Sequence, residues 1–152
     1  MAELKNVKFY ISILGYWRVG ISSIISSYFG FPFDDNVVPT RGIDYITDIA
    51  EFENKNYKFK IYDTVGGIKY RSISSKAIQR ADGFLLVFSL DMSSSFDEVK
   101  YWLNIIKEKV NIEEKAIILV GNKNDIKGRE IPFEEVSSFV ESNHLKYFET
   151  LQ

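Results

Sequence analysis

The apolar positions of this 152-residue chain come in two rhythms. Val7 to Leu14, Phe84 to Leu90 and Ala116 to Val120 are near-continuous runs with little polar alternation, which predicts strands buried on both faces. Tyr45 to Phe52 alternates instead and reads as a strand with two unlike faces. Glu53-Asn54-Lys55-Asn56 then predicts a hairpin turn, with Tyr57 to Tyr62 returning antiparallel. The helical rhythm is clearest at Val99, Leu103, Ile106 and Val110, which share one face. Ser93-Ser94-Ser95 offers caps for that helix. Ser22 to Tyr28 reads as a short helix, Tyr70 to Arg80 as another, and Pro132 stands near the start of a helix reaching about Ser142. Leu145 to Phe148 predicts a short last strand, and Phe31-Pro32-Phe33-Asp34-Asp35-Asn36 a loop.

Strands that alternate with helices predict an α/β fold with a mostly parallel sheet and helices on both faces. Ligands of such sheets bind at the carboxyl ends of the strands. Three loops leave carboxyl ends, at Gly15, Asp63 and Asn122, and are expected to converge. The length suits one domain, here taken as 1–152. The net charge of −2 implies no general affinity for nucleic acid. The absence of cysteine excludes disulfides, thiolate metal sites and thiol catalysis, and these residues are expected to carry no prenyl or palmitoyl anchor. The polar start Met1-Ala2-Glu3-Leu4-Lys5 carries no secretory signal, and no apolar run approaches a membrane span. The expectation is a cytoplasmic domain, with any membrane association supplied by partners.

The first apolar run ends in Gly15-Tyr16-Trp17-Arg18-Val19-Gly20-Ile21-Ser22. This fits the phosphate-loop template G-x-x-x-x-G-K-[ST] at every fixed position but one, where Ile21 replaces lysine. The backbone N–H groups of such a loop, from Gly15 and Arg18 through Val19, Gly20, Ile21, Ser22 and Ser23, are set to cradle phosphates. The following helix N-terminus adds partial positive charge. Ser22 could place its hydroxyl on Mg²⁺; alone, it is more simply a helix N-terminal serine. Asp63 could hold the same ion through water and Gly66 could bring its N–H to a terminal phosphate, although Asp and Gly are also ordinary residues of a strand-ending turn. Thr40 could add a second hydroxyl; alone it is a loop threonine. Asn122-Lys123-Asn124-Asp125 is the strongest signal. Asp125 can accept two hydrogen bonds from guanine N1–H and its 2-amino group, a pair that adenine does not offer. Lys123 can lay its stem on the base plane, and Asn122 can tie this loop to the phosphate loop.

In this order and spacing the segments resemble a small GTPase of the Ras superfamily, and within it the Rab branch. Pro39-Thr40-Arg41-Gly42-Ile43-Asp44-Tyr45 resembles the Rab switch I segment, and Ile61-Tyr62-Asp63-Thr64-Val65-Gly66 the W-D-T-A-G segment. Lys69-Tyr70-Arg71-Ser72-Ile73 resembles R-F-R-T-I, and Phe148-Glu149-Thr150 the start of the E-T-S-A-K guanine loop. The resemblance runs from about Lys5 to Thr150. It implies a three-layer α/β/α P-loop GTPase domain with a six-stranded, mostly parallel sheet and one antiparallel edge strand. It also implies GTP/GDP and Mg²⁺ as cofactors, effector and exchange-factor proteins as partners, and a role in vesicle trafficking. Phe33 stands where the family has an aromatic shielding the guanine edge.

The chain departs from the family at chosen places. Ile21 removes the cation from the phosphates, with Arg18 the nearest substitute in the loop. Gly67 stands where active members carry the glutamine that orients the attacking water, so no catalytic residue is assigned. Trp17 occupies a usually small position and would crowd both that water and an arginine finger. The metal set Ser22, Thr40 and Asp63 is kept. The leading expectation is a guanine-nucleotide switch with slow or absent hydrolysis. A nucleotide-free pseudo-GTPase acting as an interaction module is the alternative, and a hydrolase relying on its backbone and Arg18 a third reading. The family's last helix is expected to be missing after Gln152, so that a second domain or subunit, or a continuation of the chain, would cover the sheet face beneath it.

Overall fold

The computed structural model describes residues 8–15, 43–64, 78–122 and 128–150. Six strands form one sheet in the order β2-β3-β1-β4-β5-β6. They are β1 (Lys8–Gly15), β2 (Ile43–Phe52), β3 (Lys55–Thr64), β4 (Gly83–Ser89), β5 (Ala116–Asn122) and β6 (Lys146–Glu149). All neighbours run parallel except β2, which pairs antiparallel with β3 at one edge. This is the expected α/β sheet, with the expected antiparallel edge strand.

The apolar runs became central strands, β1, β4 and β5, which carry buried residues on both faces. Leu14, Phe84, Leu86, Phe88 and Leu119 point to one face and join the main core. Ile13, Val87 and Val120 alternate to the other face and are buried too. Over the first face lie helix α1 (Ser93–Lys109) and helix α2 (Phe133–Asn143). The helical rhythm of the sequence is the buried stripe of α1, where Val99, Leu103 and Ile106 are joined by Phe96 and Trp102. Phe96 bridges the layers, lying 4.9 Å from the Phe88 ring and 5.3 Å, edge-on, from Phe139 of α2.

Several local expectations are corrected. The hairpin turn is only Glu53-Asn54, both at positive φ (50° and 62°), so Lys55 and Asn56 already belong to β3. Two successive left-handed residues twist in the sense that flanking strands require. At the other end Asp63 and Thr64 do not leave as a loop, because β2 continues beside them, pairing Asp44 with Asp63 and Ile43 with Thr64. The serines do not cap α1 in the expected way. Its N-cap is Met92, which makes no side-chain cap, and the Ser93 N–H donates instead to the Glu130 carboxylate at 2.9 Å. Ser95 turns inward, its hydroxyl accepting from Ser89 N–H at 2.9 Å and donating to the Met92 carbonyl at 2.6 Å. Val110 lies just past the helix as its C-cap. Helix α2 ends on His144 in the left-handed conformation (φ 55°), with Leu145 N–H bonded back to the Val140 carbonyl at 3.0 Å. Residues 78–80 are helical, in keeping with a helix reaching Arg80. The predicted helix at 22–28 and the loop at 31–36 lie outside the described residues.

Candidate functional site

The strand order turns at β1, which has β3 on one side and β4 on the other. Such a reversal opens a crevice at the carboxyl ends of the strands, where open α/β sheets bind ligands. Three of the residues singled out from the sequence stand along that edge. Gly15 is the last residue of β1, level with Val87 of β4. Asp63 is the second-last residue of β3, level with Ile13 of β1. Asn122 is the last residue of β5, level with Ser89 of β4. The parallel register therefore carries Gly15, Asp63 and Asn122 to one rim. Trp17, Arg18, Val19, Gly20, Ile21, Ser22, Ser23, Phe33, Thr40, Gly66, Gly67, Lys123 and Asp125 lie outside the described residues.

Asn122 is the best defined of the three. It is 1% exposed, and a buried amide has to find partners. Its carbonyl oxygen accepts the Thr150 hydroxyl at 2.8 Å, and its backbone carbonyl accepts Leu90 N–H at 3.0 Å. Thr150, just past β6, also donates its N–H to the Gly121 carbonyl at 2.8 Å. The residue that opens the Asn-Lys-Asn-Asp run is thus locked to the Glu149-Thr150 segment. Such a link holds the carboxyl ends of β5 and β6 in fixed relation.

The structure adds a cluster that the sequence reading did not assign. The Glu149 carboxylate takes Arg129 in a 2.9 Å ion pair and the Tyr147 hydroxyl in a 2.8 Å hydrogen bond, both at Oε1. Half-burial is the main force pushing the Tyr147 pKa above that of an ordinary tyrosine. Its hydrogen bond to the Glu149 carboxylate and that group's charge add to the shift, and Arg129 opposes it. The Tyr147 ring stacks near Phe88 at 6.2 Å, and its hydroxyl reaches over Gly121, where a Cβ would come within 2.6 Å of it. Only the likeness of Glu149-Thr150 to a guanine loop pointed here. Arg129 carries no local signal, because its partner Glu149 belongs to a later strand, whereas Tyr147 and Glu149 meet as next neighbours on one face of β6.

The sequence model of the Ras family matches residues 10–151. The chain belongs to that family. Its relatives include the Ras-related protein Rab-11C of Dictyostelium discoideum, 32% identical over 93% of this chain. The mouse Ras-related protein Rab-17 is 33% identical over 91% of it. The chain spans 63% and 64% of the lengths of these two relatives. Within the family it is therefore a Rab-like member, and the sheet is that of a P-loop GTPase domain. Among the described residues, no helix is long and apolar enough to cross a membrane.

Proposed function

We propose that this chain is a Rab-like guanine-nucleotide switch whose hydrolysis is slow or absent. The observation that supports it most is the lock between Asn122 and Thr150. It starts the Asn122-Lys123-Asn124-Asp125 run at the rim where Gly15 also ends. A buried asparagine spent on joining two loops fits a site that must hold a base between them. Members of the Ras family bind guanine nucleotides, generally with Mg²⁺. In this chain Asp125 would read the base, with Lys123 against its plane and Phe33 at its edge. Gly15 and the amides of Arg18, Val19, Gly20, Ile21, Ser22 and Ser23 would take the phosphates, and Gly66 would sense the terminal one. Ser22, Thr40 and Asp63 would hold Mg²⁺, an ion that neutralises phosphate charge.

Phosphoryl transfer draws its rate from positioning and charge. Ile21 withdraws charge, Gly67 withdraws the side chain that would orient water, and Trp17 crowds the space for a substitute arginine. A switch of this kind would act by binding effector and exchange-factor proteins, in vesicle trafficking as the resemblance to the Rab branch implies. Phe148, 57% exposed on the sheet face away from α1 and α2, supports a covering segment or subunit there.

The nucleotide content of purified protein is the first test. Bound GDP or GTP supports the switch, and nucleotide-free protein with no measurable affinity replaces it with the interaction-module reading. Asp125→Asn should weaken GDP binding and favour xanthine nucleotides, and a variant that keeps the parent's GDP affinity removes Asp125 from the base site. Single-turnover phosphate release should run at or below about 10⁻⁴ per second. Fast release by the parent chain would instead favour a hydrolase that uses its backbone and Arg18.

A further inference from the structure

Two described residues on either side of 123–127, Asn122 and Arg129, are fastened to neighbouring residues at the end of β6. On one side, Asn122 and Gly121 are bonded to Thr150. On the other, Arg129 pairs with Glu149 at 2.9 Å and donates from Nε to the Ile131 carbonyl at 2.7 Å. Glu130 N–H donates to the Leu90 carbonyl at 2.9 Å, and the Glu130 carboxylate takes Ser93 N–H. Tyr147 completes the fastening by donating to the same Glu149 oxygen that Arg129 holds. A lone surface ion pair contributes little. This carboxylate is shared by two donors, and one of them is a half-buried ring stacked near Phe88. Holding both ends of a short segment removes conformations that a ligand would otherwise have to freeze out.

We propose that Arg129, Glu149 and Tyr147 form a positioning cluster for base recognition. It fixes the exit of the base-reading segment against β6, so that the segment meets its nucleotide pre-organised. The cluster acts through the residues it positions and touches no ligand itself. This rests on the guanine-binding reading above. Loss of the cluster should speed nucleotide release and blur recognition of the base, with less effect on association.

The test uses the full chain loaded with Mg²⁺ and a fluorescent GDP analogue. It is repeated in competition with inosine diphosphate, which lacks the 2-amino group. Arg129→Met and Glu149→Gln should each accelerate release about tenfold, as expected for a hydrogen bond to a charged group. The double variant should do little more than either single one, because both remove one interaction. Tyr147→Phe keeps the ring and loses only the donor, so it should accelerate release about threefold even if a charge variant fails to fold. In every variant the preference for GDP over inosine diphosphate should shrink, an effect that general loosening of the fold would not produce. Release within about twofold of the parent, or equal weakening of the two nucleotides, overturns the inference while leaving guanine binding intact. A parent that binds neither nucleotide overturns the guanine reading first and this inference with it.

Discussion

Gly121→Ala tests how tightly β5 and β6 are fitted at the rim. Gly121 stands level with Phe88 of β4 and Glu149 of β6, on the face that carries α1. A Cβ there would lie 2.6 Å from the Tyr147 hydroxyl, 3.0 Å from Phe88 Cζ and 3.2 Å from Leu90 Cδ2. The first distance cannot persist, so Tyr147 must move, and its 2.8 Å bond to Glu149 goes with it. The methyl gains about 0.8 kcal/mol of burial and about 0.5–1 kcal/mol from the stiffer unfolded chain. Overpacking costs about 1–3 kcal/mol, and weakening a bond to a half-buried carboxylate costs about 1–2 kcal/mol more. The costs win, leaving a net loss of about 1–2 kcal/mol, or about 2–8 °C in midpoint for a chain of this size. Urea unfolding at one fixed GDP concentration measures it. The decisive comparison is the Tyr147→Phe background, where the atom at 2.6 Å is gone and the penalty should fall by about half. An unchanged midpoint, or an equal penalty in both backgrounds, would refute the packing argument.

Ser12→Ala should leave stability unchanged or raise it by about 1 kcal/mol, because Ser12 Oγ is fully buried with no partner among the described residues; a loss above that size in the same urea assay would mean that the hydroxyl is satisfied. His144→Gly should raise the thermal midpoint, since glycine adopts the left-handed end of α2 at about 1 kcal/mol less cost than a residue with a Cβ; a lower midpoint would show that the imidazole contributes more than the backbone loses. Tyr147 should also leave a mark at alkaline pH. Its folded pKa is raised, so the stability it contributes is complete below the unfolded tyrosine value of about 10 and is lost as pH rises above it. Parent stability should therefore fall more steeply above that pH than that of Tyr147→Phe, and parallel curves would contradict the shift.

Much of the architecture is written in local pattern. Continuous apolar runs declared β1, β4 and β5, and the spacing of Val99, Leu103 and Ile106 declared α1, because a strand buried on both faces and a helix with one buried face each leave their own period. The Asn122-Lys123-Asn124-Asp125 run and the glycines at 15 and 20 were legible as types at fixed spacing, independent of where the chain goes next. The sequence also carried the family, through the order of those segments, and the family match confirms it. Tertiary structure decided what joins residues far apart. The serines that open α1 looked like caps, yet the N–H of Ser93 is reached by Glu130, 37 residues on. Asp63 looked like the start of a loop, yet β2 extends to hold it in the ladder. Arg129, Tyr147 and Gly121 have nothing local to distinguish them from any surface cation, aromatic or strand glycine. Tyr147 meets Glu149 within β6 itself, but Gly121 and Arg129 join them only when β5 and β6 pair in parallel and place Glu149 beside Gly121. Periodicity reports which way a side chain faces, whereas a partner's identity depends on register and crossover, which arise when distant segments meet.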